Sequence, residues 1–91
     1  MWIITKDHLE PLPAGDLFLV AVVPPGFTMD MQPALMPYAF RLYDDDDNLC
    51  YEGWSSDRES ELAFQPLDWA MADAGCTRID YRQDNGTWET L

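Results

Sequence analysis

The sequence has 91 residues, and its 17 Asp and Glu against 5 Lys and Arg give a formal net charge of −12. This length predicts a single small domain over residues 1–91 with a modest core. A hydrophobic content of 47% and an aromatic content of 13% are typical of a globular chain. The charge argues against direct binding to nucleic acid or to anionic membranes. No stretch approaches the roughly 20 apolar residues of a membrane span and no signal peptide is recognisable, so we expect a cytoplasmic protein.

The first half of the chain predicts two strands and two loops. Residues 2–5 predict a short strand, and residues 6–15, with two prolines and a glycine, predict a loop. The apolar run 17–23 has the length and the β-branched end of a buried central strand. The stretch 24–37, with four prolines and three methionines, predicts an irregular loop that is either a lid over the protein's own core or an adaptable surface for a partner. If the stretch is a surface for a partner, Phe27, Met29 and Met31 are the candidate binding residues.

Four consecutive aspartates stand in the middle of the chain, in RLYDDDDNLCYEG at residues 41–53. On both sides of the aspartates, residues of differing character alternate with a period of two, which predicts two antiparallel strands. Asp and Asn suit the turn between them, because their side chains hydrogen-bond the nearby backbone and tolerate left-handed conformations. A calcium loop is excluded, since no register counted from the aspartates places glycine at position six and glutamate at position twelve. We therefore predict a hairpin tip and no metal site.

The last third of the chain predicts one helix and a second hairpin. Apolar residues at 67, 70, 71 and 74 share one helical face, Pro66 suits the first turn, and Gly75 suits the C-terminal stop. Alternating segments 77–82 and 87–91 flank Asn85-Gly86, which predicts a two-residue turn with Arg82 opposite Glu89. The predicted fold is α+β, a mainly antiparallel sheet of about five strands with one short helix packed on a face.

No motif for catalysis or for a cofactor is present. The chain has a single histidine, His8, and lacks both a glycine-rich phosphate loop and a G-x-S-x-G nucleophile motif. Cys50 and Cys76 have apolar or aromatic neighbours, which predicts free thiols packed in the core; a disulfide between them or a shared metal site is the alternative. We predict that the protein is not an enzyme and uses no cofactor.

Several short pieces of the sequence carry a resemblance. They are TKDHL at residues 5–9, FRLYDDD at 40–46 ahead of YEG at 51–53, and PLD, AGCT, YR and WE in the last third. In these pieces, which cover about half of the chain, the sequence resembles small uncharacterised acidic proteins encoded on bacterial plasmids and prophages. The resemblance implies a mobile-element setting and implies no activity.

Two binding functions are compatible with these features. Carboxylates on a small rigid domain can replace phosphates and occupy a basic groove, which predicts a DNA mimic that engages a basic, nucleic-acid-handling protein. The candidate acidic patch comprises Asp44, Asp45, Asp46, Asp47, Asp57, Glu59 and Glu61. The alternative is a self-associating structural or adaptor module, a homodimer joined through aromatic and methionine-rich surfaces and through strand edges. A solvated acidic surface that only maintains solubility is the simplest interpretation of the same charge.

Overall fold

A computed structural model describes residues 1–91 and shows six strands in one antiparallel sheet. The strands are β1 (Trp2–Asp7), β2 (Val20–Val22), β3 (Tyr38–Tyr43), β4 (Leu49–Ser55), β5 (Arg78–Arg82) and β6 (Trp88–Thr90). Their order across the sheet is β2-β1-β4-β3-β5-β6. The predicted α+β class is confirmed, with one strand more than expected.

Two short helices accompany the sheet, each continuing from a 3-10 turn. Helix α1 (Gln32–Leu35) follows the turn Met29–Met31, inside the stretch predicted to be irregular. Helix α2 (Gln65–Ala74) follows the turn Glu61–Phe64. It ends at Gly75, whose φ of 70° is the left-handed conformation that glycine adopts without strain. The predicted helix and its stop signal are confirmed.

The main core lies between α2 and one face of the sheet. Trp2, Phe40 and Tyr51 are among its buried sheet residues, and Leu67 and Ala70 are contributed by the helix. Two tyrosines bind the helical segment through their hydroxyl groups as well. Tyr81 donates a 2.7 Å hydrogen bond to the carbonyl of Ala63, and Tyr51 donates one of 2.7 Å to Asp73. These bonds hold residues 61–74 against the sheet. The side of α2 that faces away from the sheet is exposed to solvent.

The opposite face of the sheet, called here the second sheet face, has a smaller buried region. Ile3 alternates with Trp2 and Ile4, so its side chain points to this face, where it is fully buried. Met36 is also fully buried outside the main core. It belongs to the connection 23–37, which has to pass β1 and β4 to join β2 to β3. Residues from β3 and β5 on the second sheet face are half-buried or exposed.

The apolar run 17–23 does not form a central strand, and that prediction is wrong. Only Val20–Val22 form a strand, which pairs with β1 at the edge of the sheet. Leu17 and Val22 are 62% and 46% exposed. An apolar run indicates burial on both sides only if a further strand and a second layer exist. This chain places neither beyond β2.

The C-terminal hairpin forms with a different turn and register from those predicted. The amide of Gln83 donates to the carbonyl of Thr87, and that of Gly86 to Gln83, so the loop has three residues. Gly86 alone in this loop has a positive φ, of 86°. Arg82 therefore lies opposite Trp88 rather than Glu89, which corrects the predicted pair. The one-residue shift places Trp88 on the second sheet face, because successive side chains alternate between faces.

Both cysteines are buried free thiols within the main core, as the sequence predicts. Burial, followed by the neighbouring Cys50 thiol, raises the pKa of the Cys76 thiol to about 12. A thiol that stays protonated at neutral pH is a poor nucleophile. The two residues act here as packing groups.

Candidate functional site

The four aspartates form the predicted hairpin tip between β3 and β4, and the tip has the same loop geometry as the C-terminal hairpin. The amide of Asp44 donates to Asn48, and that of Asp47 donates to Asp44. Asp47 has a φ of 61° and occupies the position that Gly86 takes in the second hairpin. An aspartate tolerates this left-handed conformation better than most residues do.

Local hydrogen bonds give Asp44 a structural role at the tip. Its Oδ1 accepts from the amides of Asp46 and Asn48 at 2.9 Å, and its Oδ2 accepts from the Asn48 side chain at 3.1 Å. The hydrogen bond from the Asn48 amide, followed by that from its side chain, lowers the pKa of the Asp44 carboxyl below its usual range. This carboxylate closes the loop and is not directed outward.

Of the other three aspartates of the tip, one forms an ion pair and two do not. Asp47 forms an ion pair with Arg78. Asp45 and Asp46 are exposed and pair with no cation. No group of three or more His, Cys, Asp or Glu side chains in the protein is arranged to hold a metal ion. The charge that the tip offers to a partner therefore comes mainly from Asp45 and Asp46.

The second part of the predicted acidic patch begins at Asp57, which also has a structural role. Its Oδ1 accepts from the amides of Glu59 and Ser60 at 2.8 and 2.9 Å, and its Oδ2 accepts from the Ser60 hydroxyl. The Ser60 hydroxyl, followed by the two amides, lowers the pKa of Asp57 to about 2. Glu59 and Glu61 are exposed and unpaired.

The two parts of the predicted patch lie at opposite ends of β4 and do not form one cluster. The tip precedes Leu49 and the Asp57 turn follows Ser55, and seven strand residues span about 20 Å. Helix α2 runs between the two ends. Its C-terminal side approaches the tip, where the amide of Thr77 donates to the carbonyl of Tyr43 at 2.9 Å.

Two further acids lie on α2 between the two ends, outside the patch that the sequence predicts. Asp68 and Asp73 are both exposed. Residues 59–77 contain no Lys, Arg or His. We call the exposed surface of residues 59–75 the helical side; every charge on it is negative. The absence of cations from residues 59–77 can be seen in the sequence and could have identified this surface.

The cations are segregated on the second sheet face. Lys6 and Arg41 lie opposite Glu52 in neighbouring strands, and Arg82 lies opposite Trp88. Arg78 and Arg82 alternate along β5 with the core residues Ile79 and Tyr81, so both project from the second sheet face. Together with Lys6 and Arg41, they make four of the five cations. The guanidinium of Arg41 lies 4.1 Å from the centre of the Trp88 ring.

Glu52 links several of these side chains. It lies 2.8 Å from Nε2 of His8 and accepts a 3.2 Å hydrogen bond from Nε of Arg41. Burial alone would raise the pKa of the Glu52 carboxyl, but the hydrogen bonds from His8 and Arg41 outweigh it, so the pKa is lowered. The single histidine thus has a structural partner on this face.

The candidate residues of the methionine-rich loop are only partly accessible. Phe27 and Met29 are half-buried, and Met31 is 40% exposed. Met36 is fully buried and anchors the end of the loop. The loop therefore covers part of the protein and presents a single methionine prominently.

Neither α-helix combines the length and the apolar character that a membrane crossing requires. Comparison of the chain with protein-family models, with curated proteins and with solved structures finds no match.

Proposed function

We propose that the protein is a non-enzymatic, cytoplasmic binding protein that engages a basic protein surface through its helical side, and that it does so as a DNA mimic. The observation that supports this proposal is the segregation of charge. The helical side presents exposed carboxylates and no cation, from Glu59 at one end to Asp73 of α2 at the other. A partner that handles nucleic acid offers the complementary basic groove.

The electrostatics favour this side over the rest of the surface. Four of the 17 acids, namely Asp47, Glu52, Asp80 and Asp84, have cation partners, and none of these lies on the helical side. Unpaired carboxylates at fixed positions steer a basic partner during encounter and accelerate association at low salt. Salt should weaken the interaction, because exposed charges are screened beyond about 10 Å at 0.1 M ionic strength.

A competition assay tests the proposal. The protein is added to complexes of labelled duplex DNA with each member of a panel of basic bacterial DNA-binding proteins, and release of the duplex is measured against salt. One triple variant carries Glu59→Gln, Glu61→Gln and Asp68→Asn. The matched control carries Glu10→Gln, Asp16→Asn and Asp30→Asn, which change the net charge equally at exposed sites elsewhere.

We expect the wild type and the control to release DNA from at least one panel member, and the helical-side variant to do so poorly. Equal loss of activity in both variants would show that only net charge matters. Failure of the wild type to compete with any panel member at low salt would contradict the mimic.

A second candidate function, self-association, is supported by the exposed apolar edge of the sheet. Leu17, Phe18, Leu19 and Val22 are exposed along and just before β2, whose outer edge has no strand partner. No residue between 17 and 29 is charged, so two copies can approach here without direct repulsion. An antiparallel edge strand can pair with its own copy about a two-fold axis.

Sedimentation tests this candidate with a matched pair of lysine variants. If β2 joins two copies, the wild type is a dimer and Val22→Lys, which places a charge on the edge, is a monomer. Leu62→Lys adds the same charge at a residue that is 56% exposed on the helical side, and this variant should remain a dimer. A monomeric wild type at high concentration would eliminate self-association.

A further inference from the structure

A cavity of about 310 Å³ opens at the end of the sheet where β3 begins and β5 ends. Its lining includes Tyr38, Ala39, Trp54, Arg58 and Arg82. Ala39 lies directly opposite Trp54 in the β3–β4 pair, so a small side chain adjoins a large indole. The volume is at the lower end of the range typical of small-molecule sites, about 300–1,000 Å³.

Arg58 is held rigidly at this cavity. Its Nη1 donates to the carbonyl of Arg82 at 3.1 Å, its Nη2 donates to Asp84 at 3.0 Å, and its guanidinium lies 4.5 Å from the centre of the Tyr38 ring. The side chain is only 14% exposed. A guanidinium has five N–H donors, so these two bonds leave donors for another acceptor. The group is already ordered and loses little conformational entropy on binding.

Arg82 differs from the other arginines because it has no carboxylate partner. Arg41, Arg58 and Arg78 each form an ion pair, whereas Arg82 forms none and is exposed at the cavity. None of the 17 acids of the chain forms an ion pair with this guanidinium. The balance of charge around the cavity is positive, since Arg58 and Arg82 outweigh Asp84.

We propose that this cavity binds a small planar anion, namely an aromatic carboxylate. The ring would pack against the Trp54 indole, and the carboxylate would accept hydrogen bonds from Arg82 and from the remaining donors of Arg58. Guanidinium and carboxylate groups match in geometry and form strong charge-assisted bonds. Asp84 beside Arg58 favours an anion with a single charge over a phosphate dianion. The site uses no residue of the helical side and is independent of the proposed function.

Titration with 1-naphthoate tests the site, with the neutral 1-naphthamide and inorganic phosphate as comparison ligands. Binding is followed by the chemical shift of the Trp54 indole N–H, assigned with a Trp54→Phe variant. Arg82→Gln removes the free guanidinium. Lys6→Gln removes the other cation without an ion pair, which does not line this cavity, and serves as the charge-matched control.

We expect saturable naphthoate binding with one site per chain, weakened about tenfold or more by Arg82→Gln and little changed by Lys6→Gln. Both variants are at exposed positions, and their folding is checked by their thermal transitions. Absence of saturable naphthoate binding would overturn the proposal. Equal affinity for the amide would show that the arginines do not select an anion, and equal affinity for phosphate would show that the ring is not recognised.

Discussion

Replacement of Gly53 by alanine should destabilise the protein strongly, because a side chain at this position of β4 would collide with residues of both neighbouring strands. A Cβ atom at this position would lie 2.0 Å from the carbonyl oxygen of Ile3 and 2.6 Å from Cζ of Phe40. The Phe40 ring could turn away, but the Ile3 oxygen belongs to the backbone of β1. Relief of that contact requires β1 and β4 to separate by more than 1 Å.

The expected loss of stability follows from two contributions. Overpacking of a dense interior costs about 1–3 kcal/mol. Distortion of the ladder between β1 and β4 adds about 1 kcal/mol for each backbone hydrogen bond that is lost. A total of about 3 kcal/mol or more is a large share of the roughly 5–14 kcal/mol expected for a domain of this size.

Urea denaturation followed by tryptophan fluorescence measures the change as a shift of the midpoint at constant slope. Gly15→Ala is the matched control, since Gly15 has a φ of 93° and its Cβ would meet no atom within 4 Å. That variant carries only backbone strain, about 1–2 kcal/mol. The double change Phe40→Leu and Gly53→Ala should remain unstable, because the clash with Ile3 persists. If Gly53→Ala were no more destabilising than Gly15→Ala, the close approach of β1 and β4 would be refuted.

Three further outcomes are expected. Gly86→Ala should cost more stability than Asn85→Ala, because only Gly86 in that loop has a positive φ; equal losses in urea denaturation would favour the two-residue turn. Stability that depends on the Asp57 carboxylate should be present above its unfolded pKa of about 3.8 and be lost as pH falls toward about 2, and Asp57→Asn should flatten that part of a plot of urea midpoint against pH. Cys50 and Cys76 should resist Ellman's reagent in the native state and react fully in denaturant, whereas rapid native labelling would contradict their burial.

The elements that the sequence predicts correctly are those controlled by neighbouring residues. Helix α2 has its apolar face, its early proline and its terminal glycine within ten residues. The aspartate tip closes through bonds between Asp44 and residues no more than four positions away. Both features depend on local backbone conformation and local hydrogen bonding, which the order of residue types determines.

The elements that the sequence predicts wrongly depend on what lies beside them in space. The run 17–23 is apolar enough for a central strand, but it becomes an edge because no further strand of this short chain pairs beyond β2. In the C-terminal hairpin, Asn85-Gly86 is compatible with two loop lengths. The longer one places Trp88 opposite Arg82 on the second sheet face, against the guanidinium of Arg41.

The candidate surfaces, too, depend partly on features of the sequence and partly on how the chain packs in space. The strong acidity of the chain and the absence of cations from residues 59–77 follow from the sequence alone, because they are properties of composition. The fold places those residues over one side of the sheet and four of the five cations on the other, which no local pattern predicts. It also brought Arg58 and Arg82, separated by 24 positions, to one cavity, since the contact between them depends on the packing of a loop against a distant strand.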